Sequence, residues 1–227
     1  MKKELLIVGA TGNLGKGVTK FFIKQEYAKI YLIGRNLEAS TDEIEGIRRI
    51  QAGDLSSEKN VEAVFSEIKP VKTTTYFLFS TLGGYSGGRT LWDTSFEEFE
   101  RMIKINLFTN FLIARHFSIL VSKSSGGSLC LTSSFASLAP EINKAAYGVS
   151  KSALNFMVKT LALEAKSINM SVNAIAPNLI NTEENRRWVK DKSLMIDPEG
   201  IAQVVDNLFD NYKYITGSII TLPFSLH

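Results

Sequence analysis

The chain has 227 residues, 44% of them apolar, a net charge of +3 and a single cysteine. That is enough apolar sequence for the full core of one α/β domain spanning 1–227, a dinucleotide-binding and catalytic unit on the motifs below. The basic residues are scattered, with doublets only at Lys2-Lys3, Arg48-Arg49 and Arg186-Arg187, so nucleic acid is not an expected partner; Cys130 has no internal disulfide partner, and no run reaches the length of a membrane span.

The opening MKKELLIVGATG has the lysines of a secretory leader, but its apolar run is short and meets Gly9 and Gly12, so a cytoplasmic location is expected. Residues 4–10 predict a buried parallel strand ending at glycine. A helix follows at 14–25, with Val18, Phe21 and Phe22 in helical spacing. The pattern then predicts a second strand at 28–34, a short helix at 41–46 and a third strand at 47–54. A helix at 57–68 must stop before Pro70. The fourth strand, 74–84, runs into a polar glycine-rich loop at 84–90. Residues 96–122 read as one long helix or two consecutive ones. A fifth strand at 127–137, a helix at 147–166 and a sixth strand at 170–177, stopped by Pro177, complete the middle of the chain. Residues 182–196 are charged and weakly periodic. Asp197-Pro198 predicts an N-cap and first position for a helix at 198–211, and 217–224 is a last strand. Such alternation implies right-handed βαβ units and a mainly parallel sheet with helices on both faces.

Gly9, Gly12 and Gly15 fall at the first strand-to-helix turn, in the spacing of a dinucleotide fingerprint. Glycine permits the tight turn and a close approach of backbone to a pyrophosphate, which the helix N-terminus then faces with free N–H groups. At the end of the second strand an acidic residue suits a free 2′-hydroxyl and a basic one a 2′-phosphate. Here it is Arg35, which predicts NADP(H) in preference to NAD(H).

Tyr147 and Lys151 lie four residues apart, on one face of the helix expected there. Ser134 stands 13 residues before Tyr147 at a strand exit, Asn106 sits in an Asn-Leu helix step, Asp54-Leu55 follows the third strand, and NAIAPNLINT follows the sixth. Together with the glycine turn, this ordered set resembles the short-chain dehydrogenase/reductase family over nearly the whole chain. The resemblance implies a single Rossmann-type doubly wound parallel sheet and hydride transfer between a nicotinamide and a carbonyl or alcohol. It implies that Tyr147 is the acid or base, that Lys151 lowers its pKa and holds the nicotinamide ribose, that Ser134 binds the substrate oxygen, and that Asn106 supports a water reaching Lys151. Cofactor contacts are implied at Gly9, Thr11, Gly12, Asn13, Leu14 and Gly15, at Asp54, Leu55 and Gly83, and at Pro177, Ile180 and Thr182. Ser134 could instead cap the strand exit, and Asn106 could satisfy a helix kink.

The chain departs from the family pattern at Asn13, at Ser80-Thr81-Leu82 and at Asn178. The family reading is a ketone reductase or alcohol dehydrogenase. Other readings are a 3-oxoacyl thioester or pteridine reductase and, from another class, a non-catalytic nucleotide sensor. Arg186 and Arg187 could meet an anionic substrate or stand solvated. Helices 106–121 and 152–163 are apolar on more than one face, which predicts a homodimer or homotetramer built through them.

Overall fold

The computed structural model describes residues 2–37 and 45–224. Seven strands among them, β1 (Lys2–Val8), β2 (Lys29–Gly34), β3 (Ile47–Gln51), β4 (Thr74–Ser80), β5 (Gly126–Thr132), β6 (Met170–Pro177) and β7 (Ile219–Leu222), form one sheet in the order β3-β2-β1-β4-β5-β6-β7. Every pairing is parallel. The helices are α1 (Asn13–Phe22), α2 (Glu58–Ser66), α3 (Phe96–Ile103), α4 (Thr109–Val121), α5 (Ala145–Glu164), α6 (Glu183–Arg186) and α7 (Pro198–Asp210).

The continuous apolar runs become inner strands because both faces of the sheet are covered. Along β1 the side chains alternate. Leu6 and Val8 join a core with Val61 and Phe65 of α2, Phe117 of α4 and Leu154 and Val158 of α5. Leu5 and Ile7 join the opposite core, with Val18 and Phe22 of α1 and Val205 and Phe209 of α7. Each large side chain buried in this way contributes roughly 1.5–3 kcal/mol. The strand order reverses between β1 and β4, and a doubly wound sheet opens its ligand crevice at the carboxyl ends of such a pair.

Local outcomes differ from expectation in two places, and a third expectation is largely untested. The helix at 96–122 is neither unbroken nor cleanly double: α3 and α4 are joined by a π-helical turn, Lys104–Phe108, which Thr109 Oγ1 closes onto the Lys104 carbonyl at 3.1 Å. Asp197 occupies the N-cap of α7 but does not cap it, because its carboxylate accepts from Asn181 Nδ2 at 2.6 Å. The short helix expected at 41–46 lies largely outside the described residues, and Glu45-Gly46 form a turn. None of the described helices is long and apolar enough to cross a membrane.

Candidate active site

At the β1–β4 crevice lies a cleft of about 1330 Å³. Gly9 leaves β1 with φ +85°, a left-handed conformation that favours glycine. Its amide and that of Ala10 donate to the Ile33 carbonyl at 2.8 and 3.0 Å, which pins the turn to β2. Gly15 seats α1 on this turn. A Cβ there would stand 2.0 Å from the Gly9 carbonyl oxygen, so no other residue fits without moving the helix. The N-cap of α1 is Gly12, with no capping side chain and no acidic residue in the first turn. The first amides of a helix lack intrahelical partners, so this end is open to an anion. The cradle fits a dinucleotide pyrophosphate.

Gly9, Thr11, Gly12, Arg35, Asp54, Leu55 and Gly83 all line the cleft. Asp54 is the only acidic group among its described lining residues, and hydrogen bonds from the Ser56 amide and hydroxyl hold its carboxyl below the usual range. Lys16 and Arg49 line the cleft as well, and sequence reading overlooked both. Their signals were available. Lys16 is one helical turn beyond Gly12, whose carbonyl accepts its amide at 2.9 Å. Strand alternation splits the Arg48-Arg49 doublet: Arg48 pairs with Glu67 at 2.7 Å, while Arg49 turns toward the cleft with Gln51.

The other expected cofactor contacts are not among the residues lining this cleft. Leu14 sends its side chain into the core, and Gly15 is spent on packing. Asn13 Nδ2 donates to Glu184 of α6 at 3.1 Å, tying the glycine turn to the segment after β6. In that segment Pro177 is buried in β6, Ile180 bridges Ile196, and the Thr182 hydroxyl caps α6 by accepting from the Asn185 amide at 3.2 Å.

Two departures from the family pattern have clear local roles. The Thr81 hydroxyl donates to the Val8 carbonyl at 2.9 Å and lies 3.1 Å from that of Gly9, stitching β4 to β1 at the crevice. Asn178 continues the β6–β7 pairing through its amide, which donates to the Leu222 carbonyl at 2.9 Å.

Of the remaining side chains, Lys151 and Asn106 converge at Gly83. Lys151 is 3% exposed, and its ammonium donates to the Thr132 carbonyl at 2.7 Å. A Cβ on Gly83 would lie 2.8 Å from Lys151 Nζ and 3.0 Å from Asn106 Oδ1, so glycine is what lets both close over this point. The π-turn aims Asn106 at the loop after β4. Its Oδ1 accepts from the Gly84 amide at 2.8 Å, and its Nδ2 donates to the Gly84 carbonyl and to Ser150 Oγ, each at 3.0 Å. Asn106 therefore braces that loop, and its carbonyl accepts from Asn110 Nδ2 at 2.9 Å. Ser150 in turn donates to the Tyr147 carbonyl at 2.7 Å. The Ser134 hydroxyl lies beside the Tyr147 phenol and favours its ionised form, and it caps its strand exit by accepting from the Ala136 amide at 3.3 Å.

The expected lowering of the Tyr147 pKa is corrected. Burial pushes the phenol up, Ser134 pulls it back in part, and the nearby Tyr85 and Glu141 raise it further. Burial also pushes the Lys151 ammonium down to about 7, so its charge is itself in the balance near neutrality. No group of three or more potential metal ligands occurs among the described residues.

Comparison with known proteins identifies the family and the fold. The short chain dehydrogenase family profile matches residues 3–193. Carbonyl reductase family member 4 of Xenopus laevis is 30% identical over 236 residues, covering 100% of this chain and 98% of that protein. Dihydropteridine reductase of Dictyostelium discoideum is 28% identical over 214 residues, covering 92% of this chain and 87% of that protein. Among solved structures, one described as ElxO with NADP bound superimposes with a TM-score of 0.84 at 22% identity, over 97% of each chain.

Proposed function

The chain belongs to the short-chain dehydrogenase/reductase family, and on that premise we propose that it is an NADP(H)-dependent carbonyl reductase working through Tyr147. The observation that carries this reading is Lys151. A buried ammonium with one carbonyl partner, a helical turn from a tyrosine with a serine beside it, is costly to the fold and serves chemistry.

When bound, the nicotinamide supplies the hydride for reduction. Tyr147 passes its phenolic proton to the substrate oxygen, and in alcohol oxidation it takes that proton back; such proton transfer contributes typically about 10²–10⁴-fold. Ser134 steadies the same oxygen and orients the phenol. Lys151, aimed by the Thr132 carbonyl, reaches toward the cofactor ribose. Asn106 keeps the loop after β4 in register with these groups and supports proton passage to Lys151.

Arg35, flanked by the other cleft cations Lys16 and Arg49, supports NADP(H) over NAD(H). Phe108, Phe111 of α4, and Phe156 and Leu163 of α5 are each more than half exposed, which supports self-association through helices 106–121 and 152–163. The similarity to a carbonyl reductase and a dihydropteridine reductase makes ketones and pterins the first substrates to try.

The test is a fluorescence titration with NADPH and NADH, followed by turnover with ketones, quinones, pterins and acyl thioesters. NADPH binds more tightly and is consumed with at least one carbonyl, and Tyr147→Phe keeps binding while losing turnover. Binding without turnover across the panel would leave the nucleotide-sensor reading standing instead.

A further inference from the structure

Tyr147 has a neighbour that the proposed chemistry does not use. The ring of Tyr85 meets it edge-on, with centroids 5.1 Å apart and planes at 79°. Tyr85 comes from the loop after β4 and is 56% exposed, so one part of it is fixed and another is free for a ligand. Several contacts hold it in place. The Gly88 amide donates to the Asn143 carbonyl at 2.8 Å, joining the loop after β4 to the loop before α5. Lys144 lies over the Tyr85 ring, 5.9 Å from its centroid. Ser86 Oγ donates to Glu98 Oε1 of α3 at 2.5 Å.

Both cations on these two loops are neutralised. Arg89 pairs with Glu98 at 3.4 Å, and Lys144 pairs with Glu141 at 2.5 Å. Beyond them, Arg187 pairs with Glu183 at 3.0 Å, and Arg186 donates to Asn181 at 2.5 Å. The loop carrying Lys144 also exposes Leu138 at 45% and Ile142 at 89%. A carboxylate or phosphate on the substrate would compete with Glu98 for Arg89 and with Glu141 for Lys144 to be received on these two loops. A flat apolar group would find an aromatic edge and aliphatic side chains without disturbing any of them.

Resting on the assignment of Tyr147 as proton donor, we propose that the substrate is an uncharged, ring-bearing carbonyl compound and that Tyr85 is the residue that selects it. The group flanking the carbonyl lies against the exposed part of Tyr85 while the oxygen faces Tyr147 and Ser134.

The experiment is calorimetric titration of the NADP⁺-loaded protein with 2-tetralone and with the same ring bearing a carboxylate. The uncharged ketone binds at least about tenfold more tightly, Tyr85→Phe preserves that margin, and Tyr85→Ala lowers its affinity roughly tenfold as the aromatic contact goes. Glu141→Gln, a surface change that does not touch Tyr85, releases Lys144 and raises the affinity of the carboxylated ring severalfold. Equal or tighter binding of the carboxylated ring by the unaltered protein overturns the proposal and points to the exposed Lys190 and Lys192 farther along the chain. So does binding of neither probe, or a Tyr85→Ala protein that binds both as before. Discriminating binding with no turnover of any carbonyl overturns the reductase reading and with it the word substrate, while the selection of an uncharged ring by Tyr85 stands as ligand recognition.

Discussion

Lys151→Met should stabilise the protein at neutral pH while abolishing turnover, and the gain should shrink as the pH rises. The side chain is 3% exposed, and burial moves its ammonium from the ordinary 10.5 to about 7. Below about 7 the lysine is protonated in both states, and the fold carries the whole penalty, about 5 kcal/mol at about 1.4 kcal/mol per pH unit over that interval. Between about 7 and 10.5 the unfolded chain binds the proton and the folded one does not, so stability rises with pH and the penalty fades. Methionine keeps the volume and removes the charge, but it orphans the Thr132 carbonyl at a cost of about 1–3 kcal/mol. The net gain is therefore about 2–4 kcal/mol near pH 6.5 and falls by about 3 kcal/mol by pH 9.5, where the sign turns. Differential scanning calorimetry of both proteins at the two pH values reads this as a melting difference that changes by roughly 6–12 °C. A difference that stays constant with pH would refute the account of Lys151 as a cation held against burial.

Three further outcomes follow from the same contacts. Gly15→Ala forces a methyl to within 2.0 Å of the Gly9 carbonyl oxygen; overpacking of this kind costs about 1–3 kcal/mol, and NADPH titration should show binding weakened by more than about tenfold. Arg35→Ala should weaken NADPH about tenfold or more and leave NADH nearly unchanged, the loss of one charge-assisted hydrogen bond being about 1.5–3 kcal/mol; equal losses would mean that Arg35 does not face the 2′-phosphate. Phe156, 74% exposed on α5, should be essential to self-association, so Phe156→Glu should lower the mass measured by light scattering to that of one chain; a monomeric parent protein would remove the premise.

The strands were legible because they sit inside a covered parallel sheet, where burial on both faces leaves unbroken apolar runs such as YFLF at 76–79. Legible too was the ordered spacing of Gly9, Ser134, Tyr147 and Lys151, since each belongs to a turn or helix whose geometry is local. The π-turn was not legible. One extra residue wound into a helix turns the face that follows it by about 100°, and the apolar pattern of 96–122, broad on more than one side, does not mark where that shift falls, yet the π-turn is where Asn106 bonds to Gly84. The Asp197 cap failed for a related reason: the cap position is local, but the competing donor, Asn181, is 16 residues away.

By itself, then, the sequence determined the alternation of strands and helices, the glycine turn and the Tyr147–Lys151 pair, because neighbours along the chain decide those features. Only the tertiary structure decided that Arg49 joins Arg35 and Lys16 at one cleft, that Thr81 stitches β4 to β1, and that Tyr85 stands edge-on to Tyr147. It also decided the direction in which Tyr147 and Lys151 titrate. These outcomes depend on burial and on partners brought from distant segments by the crossover between β1 and β4, and no local pattern encodes how much water that packing removes.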